Sequence, residues 1–233
     1  MITGLERIAQ NKLKYPESKH LNLIHYVNVE NLKGAYKRIN GKKATGTDKV
    51  SKDEYGKDLE TNLNQLVARM KTFSYRPQPT KQVYIPKAGS NKLRPLGIPS
   101  FEDKLVQNIM ADVLSEIYEP IFYDFSYGFK KDRDCHKAIE HLSEMIHRNK
   151  VNYIVDADIK GFFDNVDHKI LMEFLRKEIG DDVFLRYIIR FLKAGIMEHG
   201  KKIESDKNIP QGGLISPVLG NVYIYYALDM WFE

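Results

Sequence analysis

The run that most constrains the fold is an apolar stretch that ends in carboxylates. Residues 153–155 are Tyr, Ile and Val, and Asp156, Asp158, a glycine and two phenylalanines follow. An apolar run closed by turn-forming residues is typical of a buried strand, here one that passes into a helix. A carboxylate at the end of such a strand is costly to bury without a partner, and Mg²⁺ prefers oxygen ligands on rigid backbone. The run therefore predicts a strand with a metal-binding Asp158 at its tip, while Asp164 or Asp167 caps the next helix.

Composition sets wide bounds on the class of protein. The chain has 233 residues, of which 42% are hydrophobic and 29% charged, which is enough for one large domain or two lobes. The net charge of +5 fits nucleic-acid binding without establishing it. A single cysteine, Cys135, excludes an internal disulfide and a multi-cysteine zinc site, and we expect it in the core. We find no signal-peptide core and no apolar run of about 18 residues, so we expect a cytoplasmic protein.

Helical periodicity accounts for most of the chain. It predicts helices over residues 2–14 with Pro16 as a stop, after Asn28 or Asn31, and over 59–73, 101–117, 134–148, 171–175, 183–192 and 216–230. A capping box at Ser100 begins the helix over 101–117. The apolar stripe of the helix over 134–148 is Cys135, Ala138, Ile139, Leu142 and Ile146. Gly220 lies within a helix at a cost of about 1 kcal/mol relative to alanine, which indicates close packing there.

Two hairpins are predicted, and the first places cations at its tip. Residues 80–87 and 92–98 read as its strands, with Lys87 and Arg94 beside the turn. Cations that fold over a triphosphate suit such a position, and a tip kept soluble by charge is the alternative. Residues 195–209 form a second, polar hairpin that leads to Pro210-Gln211-Gly212-Gly213, where two glycines let the backbone approach a ligand.

Two segments combine cations with turns or aromatics. Residues 41–50 hold Lys42, Lys43 and Lys49 in a glycine-containing loop that either follows a phosphate backbone or merely connects two helices. Residues 126–133 interleave aromatics with Lys130 and Arg133, which suits a nucleic-acid path, although the aromatics could equally be core.

Three ordered blocks resemble the reverse transcriptases encoded by bacterial group II introns. They are residues 83–87 with 94–99, residues 158–168, and residues 210–221, and the segments 46–48 and 126–129 agree with them. The resemblance implies an α+β right-hand polymerase. Its fingers would be residues 1–125, including an N-terminal RNA-binding extension, and residues 169–212. Its palm would be residues 126–168 and 213–233.

The resemblance also implies roles for single residues. Asp158 would ligate two Mg²⁺ ions, with the Ile159 carbonyl assisting one, and Lys87 and Arg94 would contact the nucleotide triphosphate. Phe163 would exclude a ribose 2′-hydroxyl, and Gln211 would touch the nucleotide. Nucleic acid would be held by Lys42, Lys43, Lys49, Lys130 and Arg133.

One departure from the family pattern stands out. The family's Tyr-x-Asp-Asp box, which follows the Gln-Gly-Gly block and completes the metal site, does not occur in these 233 residues. We therefore expect an N-terminal portion of a larger polymerase, with Mg²⁺ binding weak or absent and no primer extension on its own.

The function that the resemblance implies is RNA-directed DNA synthesis by a protein that also assists splicing as a maturase. Its partners would be intron RNA, an RNA template, a DNA primer and a dNTP, and unpaired strand edges favour a homodimer. One alternative is an RNA-binding splicing cofactor that does not polymerise. Another is a reverse transcriptase of a retron, a diversity-generating element or a CRISPR-linked system. Asp158→Asn separates the first alternative, because it would abolish synthesis and spare splicing.

Overall fold

The computed structural model describes residues 4–15, 17–86, 89, 91–204 and 206–232. Within these ranges the helices are α1 (Glu6–Lys14), α2 (Val29–Arg38), α3 (Lys52–Gly56), α4 (Leu59–Lys71), α5 (Phe101–Tyr118), α6 (Cys135–Arg148), α7 (Phe162–Asn165), α8 (His168–Glu178), α9 (Asp182–Lys193), α10 (Ser216–Ile224) and α11 (Met230–Phe232). A 3₁₀ turn spans Leu23–Tyr26 and a π turn spans Tyr225–Asp229. No helix in the described part of the chain is both long and apolar enough to cross a membrane. Pro16, the predicted stop of the first helix, lies outside the described residues.

The strands form one mixed sheet. They are β1 (Thr80–Pro86), β2 (Leu93–Ile98), β3 (Ile196–Glu198) and β4 (Lys201–Ile203), in the spatial order β2-β1-β3-β4. β1 is antiparallel to β2 and parallel to β3, and β3 is antiparallel to β4. Both predicted hairpins are confirmed, and the protein is a mixture of helix and sheet.

Helix α5 is the centre of the core. Its predicted stripe, Leu105, Ile109, Val113 and Ile117, is fully buried, and α1, α2 and α10 pack against it. Two oxygens cap its first turn: the Ser100 hydroxyl accepts from the Asp103 amide, and Asp48 accepts from the Phe101 amide at 3.1 Å. The predicted N-cap at Ser100 is therefore confirmed, as are those at Asn28 and Asp167.

The predicted strand over residues 153–158 is wrong. These residues have no regular secondary structure, and the side chains of Tyr153 and Val155 are each 90% exposed. A strand exists only where a neighbour accepts its backbone hydrogen bonds, and none of the described segments lies alongside this one.

The apolar stripe of α6 also faces solvent. Ile139 is 64% exposed, Leu142 is 49% exposed, and Cys135 is exposed, so its predicted place in the core is wrong. The helix itself forms as predicted, with Asp134 as its N-cap, because its periodicity and cap are local. Burial of its stripe would need a neighbouring surface, and none of the described elements covers it.

A buried carboxyl group ties α5 to the start of β1. Asp103 is 2% exposed, its carboxylate accepts from the Tyr75 hydroxyl, and it accepts from the Gln78 amide at 3.0 Å. Burial raises the pKa of Asp103 to about 6, and its hydrogen bonds offset only part of that rise. The folded protein therefore binds a proton at Asp103 more tightly than the unfolded chain does.

This raised pKa predicts a pH dependence of stability. Because the folded pKa lies above the unfolded value, the contribution of Asp103 to stability is largest below about pH 4 and falls as pH rises through about 6, by on the order of 3 kcal/mol. We expect Asp103→Asn to remove this component, while Asn in place of the exposed Asp53 leaves it unchanged. Urea unfolding at about pH 5 and pH 7.5 measures it. The same pH dependence in parent and Asp103→Asn would contradict the prediction.

Candidate functional site

One face of the β1–β2 hairpin carries both cationic and apolar side chains. Because side chains alternate along a strand, the observed register places one set on the same face: Lys81, Val83, Ile85, Arg94, Leu96 and Ile98. Both Lys81 and Arg94 are exposed. Sequence reasoning selected Arg94 but missed Lys81, which the alternation of β1 could have revealed. Lys87, predicted to act with Arg94, lies outside the described residues.

Glycines join this hairpin to the turn that carries Gln211. The Gly97 amide donates to the Gln211 carbonyl. Gly212 has φ +108°, and a Cβ atom there would lie 2.3 Å from the Gly97 oxygen. A side chain would prevent this contact, so Gly212 lets the backbone lie close to β2, and the predicted approach to a ligand stays a prediction. The structure thereby brings together the strand of Arg94 and the turn of Gln211.

Two cavities flank the joint between Gly97 and the Gln211–Gly212 turn. The smaller, about 140 Å³, has three amides and a carboxylate in its lining, from Gln82, Asn208, Gln211 and Asp164. The larger, about 550 Å³, combines apolar walls such as Leu96, Ile98, Phe101 and Leu214 with basic groups from Arg38, Lys43, Lys52 and Lys104. Burial lowers the pKa of Lys104, and its ammonium donates to the Ala44 carbonyl at 2.8 Å. Apolar walls with cations at their edge suit flat rings that carry phosphates.

The loop over residues 41–50 is anchored, and its predicted cations are free to meet solvent. A Cβ atom on Gly46 would lie 2.6 Å from the Pro99 oxygen, so the loop backbone lies directly against the residues before α5. Lys42, Lys43 and Lys49 are exposed. Lys43 lines the larger cavity, and Lys42 and Lys49 lie on the same anchored loop.

Asp158 lies on the exposed segment before α7. Neither it nor Asp156 makes a hydrogen bond or an ion pair with any described residue, and Ile159 is 51% exposed. Within the described ranges no three His, Cys, Asp or Glu side chains are grouped closely enough to hold a metal ion. A carboxylate and a carbonyl are ligands that Mg²⁺ accepts, so these residues fit part of a magnesium site.

Phe163 packs against the backbone of α10. A Cβ atom on Gly220 would lie 3.0 Å from the Phe163 ring, and the Phe162 and Phe163 rings meet edge to face with centroids 5.1 Å apart. The close packing predicted at Gly220 is therefore confirmed. The Phe163 carbonyl accepts from the Ile209 amide at 2.8 Å, which joins this turn to the segment before Gln211. Its part in excluding a 2′-hydroxyl stays a prediction.

The structure removes Lys130 from the expected nucleic-acid contacts. Its side chain is 4% exposed, and its ammonium lies 3.8 Å from a Glu119 oxygen and 5.5 Å from the centre of the Phe122 ring. A cation held in this way cannot reach a phosphate. Arg133 is more exposed, at 26%, although its guanidinium lies 3.1 Å from an Asp124 oxygen and stacks 4.9 Å from the Tyr127 ring centre. Phe129, 70% exposed, is not a core residue.

Comparison with known proteins shows the family to which the chain belongs. Residues 85–233 match the family described as "Reverse transcriptase (RNA-dependent DNA polymerase)". The chain belongs to the reverse transcriptase family.

Two of the three relatives described next are named as intron proteins. The chain is 35% identical over 222 residues to the group II intron-encoded protein LtrA of Lactococcus lactis subsp. cremoris, covering 95% of the chain and 37% of the relative. It is 34% identical to protein YkfC of Escherichia coli K12, covering 79% of the chain and 49% of the relative. A putative COX1/OXI3 intron 1 protein of Saccharomyces cerevisiae is 31% identical, with 93% and 26% covered. The chain thus spans less than half the length of each of these relatives. The predicted resemblance to group II intron-encoded reverse transcriptases is confirmed.

Proposed function

We propose that this chain forms the nucleotide-facing part of an RNA-directed DNA polymerase encoded by a group II intron, which also binds intron RNA as a maturase. The observation that carries the proposal is the joint between Gly97 and the Gln211–Gly212 turn, which holds the strand of Arg94 against the turn of Gln211. The reaction is attack of a primer 3′-hydroxyl on the α-phosphorus of a dNTP, which forms a phosphodiester and releases pyrophosphate. Acting on intron RNA, the protein would work in the cytoplasm.

The proposed roles are those that the family resemblance implies, and Lys81 is added to them because of its charge and its position on the strand face of Arg94. Arg94 and Lys81, with Lys87, neutralise the triphosphate, because guanidinium and ammonium groups bind phosphate oxygens strongly. Gln211 contacts the nucleotide from its turn, and Phe163 excludes a 2′-hydroxyl. Asp158 and the Ile159 carbonyl would hold Mg²⁺, which supplies Lewis-acid stabilisation of phosphoryl transfer when bound. Residues 1–125 and 169–212 would form fingers, and residues 126–168 and 213–233 palm.

Template-directed synthesis by the complete gene product tests the proposal. We expect incorporation of dNTPs on an RNA template with an annealed DNA primer, in the order that the template dictates. Binding of intron RNA and support of splicing without any incorporation would favour the second candidate, an RNA-binding splicing cofactor, which the exposed lysines beside the larger cavity also suit.

We expect the 233-residue chain to bind structured RNA with a steep dependence on salt. Lysines that contact phosphates release counterions, so the logarithm of affinity falls linearly with the logarithm of salt concentration. Replacing Lys42, Lys43 and Lys49 together by alanine should reduce this slope by about 2 to 3. Alanine at three other exposed lysines, Lys57, Lys71 and Lys169, is the matched control. Fluorescence anisotropy over a salt series measures both slopes, and equal slopes for the two variants would contradict the prediction.

We also expect this chain to self-associate at micromolar concentration. The exposed apolar residues of α6 lie close in sequence to an unpaired backbone segment over residues 151–159 that is also apolar, and such surfaces favour pairing with another chain. Lysine at Ile139 and Leu142 should return the chain to a monomer. Lysine at Leu21, which is 65% exposed elsewhere, should not. Sedimentation velocity over a concentration series decides, and a monomer at every concentration would refute the expectation.

A further inference from the structure

The buried side-chain amide of Gln107, on α5, is hydrogen-bonded to the turn that contains Gly212 and Gly213. Gln107 is 5% exposed and lies beside the fully buried Val106 and Met110. A polar side chain in such a place is costly unless it is hydrogen-bonded. Its Oε1 atom accepts from the Leu214 amide at 2.9 Å. The side chain of Gln107 therefore binds the backbone directly after the two glycines.

The contacts around this bond leave the turn little freedom. A Cβ atom on Gly213 would lie 3.0 Å from the Gln107 oxygen and 2.7 Å from the Ser216 hydroxyl. That hydroxyl donates to the Pro210 carbonyl at 2.8 Å. Gly213 and Leu214 are thus held against α5 and α10. Gln211, at the start of the turn, accepts through its carbonyl from the Gly97 amide of β2.

We propose that Gln107 is a positioning residue for the nucleotide site. It fixes the position of the Gln211 turn relative to β2, the strand that carries Arg94. This inference rests on the proposed function. Among the described residues, the Gln107 side-chain oxygen is the acceptor for the Leu214 amide. Without it that partly buried amide loses its protein partner, and the turn can tilt away from β2. Gln107 does not itself reach the nucleotide, so its loss should weaken nucleotide binding more than the chemical step.

Hydrogen exchange of the Leu214 backbone amide, measured in the 233-residue chain, tests directly whether Gln107 holds the turn. Gln107→Met keeps the length of the side chain and removes the acceptor, whereas Gln107→Glu keeps a carbonyl oxygen in the same place. We expect Leu214 to exchange about tenfold faster in the methionine variant and near the parent rate in the glutamate variant. Val106→Ala, a cavity-forming change one residue away, controls for loss of stability. Unchanged Leu214 exchange in Gln107→Met, or an equal change in Val106→Ala, would overturn the proposal.

Steady-state kinetics of the complete gene product test the consequence. Gln107→Met should raise the KM for dNTP about tenfold with kcat within about twofold, Gln107→Glu should restore the KM, and Val106→Ala should leave it unchanged. A fall in kcat alone would overturn the positioning role. If the glutamate variant does not fold, the comparison of methionine with Val106→Ala decides. If the parent protein makes no DNA, the proposed function fails, whereas the exchange result still decides whether Gln107 seats the turn.

Discussion

Asp158→Asn should lower RNA-templated DNA synthesis by the complete gene product by about a thousandfold or more, because a metal ligand supplies several kcal/mol of transition-state stabilisation. Asparagine keeps the shape of the side chain and removes its charge. Asp156→Asn is the matched control, since both carboxylates lie on the same exposed segment and neither is bonded to a described residue. Its effect should stay within a few fold.

Primer extension under single-turnover conditions measures this difference, and RNA binding measured beside it should be unchanged in both variants. Because neither carboxylate takes part in packing, a folding defect cannot explain a loss confined to Asp158. Support of splicing should survive Asp158→Asn, which separates the polymerase from the splicing cofactor. Equal activities for the two variants would show that Asp158 is not a metal ligand.

Elements with a local cause were predictable from the sequence. Apolar spacing defined α4 and α5, and a capping side chain defined the starts of α2, α5 and α8 at Asn28, Ser100 and Asp167. Turn residues defined both hairpins. Each of these signals acts within a few residues, so the rest of the fold cannot overrule it easily.

Features that depend on distant neighbours could not be read in this way. The apolar run before Asp158 has strand composition, yet pairing needs a second strand, and the described residues supply none. The stripe of α6 has core composition for the same local reason and remains exposed. Lys130, set between aromatics, has the pattern of a nucleic-acid contact, but Glu119 at the end of α5 and the Phe122 ring hold it inside the protein.

The candidate site shows the same division. The two glycines after Gln211 predicted a close backbone approach to a ligand, and the sequence did not reveal that Gly212 also lies against Gly97 in β2. The role of the Gln107 amide could not be predicted, because helical periodicity indicates that a position is buried but does not indicate its hydrogen-bond partner. Lys81 could have been found, because strand alternation places it on the face of Arg94 once the hairpin is assumed.

Gly212→Ala should destabilise the protein by about 3 kcal/mol or more, because two penalties act at one position. The backbone has φ +108°, which strains any residue with a Cβ atom, and that atom would lie 2.3 Å from the Gly97 oxygen. A backbone oxygen in a strand cannot rotate away as a side chain can. Either the turn lifts from β2, which breaks the hydrogen bond from the Gly97 amide to the Gln211 carbonyl, or the hairpin shifts.

Gly200→Ala separates the two penalties. Gly200 also has a positive φ, +78°, but nothing lies within 4 Å of the place its Cβ atom would take. It should therefore cost only about 1 kcal/mol, the price of the backbone conformation alone. Urea unfolding measures both losses, and faster exchange of the Gly97 amide in Gly212→Ala would show that the joint has opened. Equal losses in the two variants would mean that the turn moves freely against β2, and the joint could then no longer hold the turn of Gln211 against the strand of Arg94.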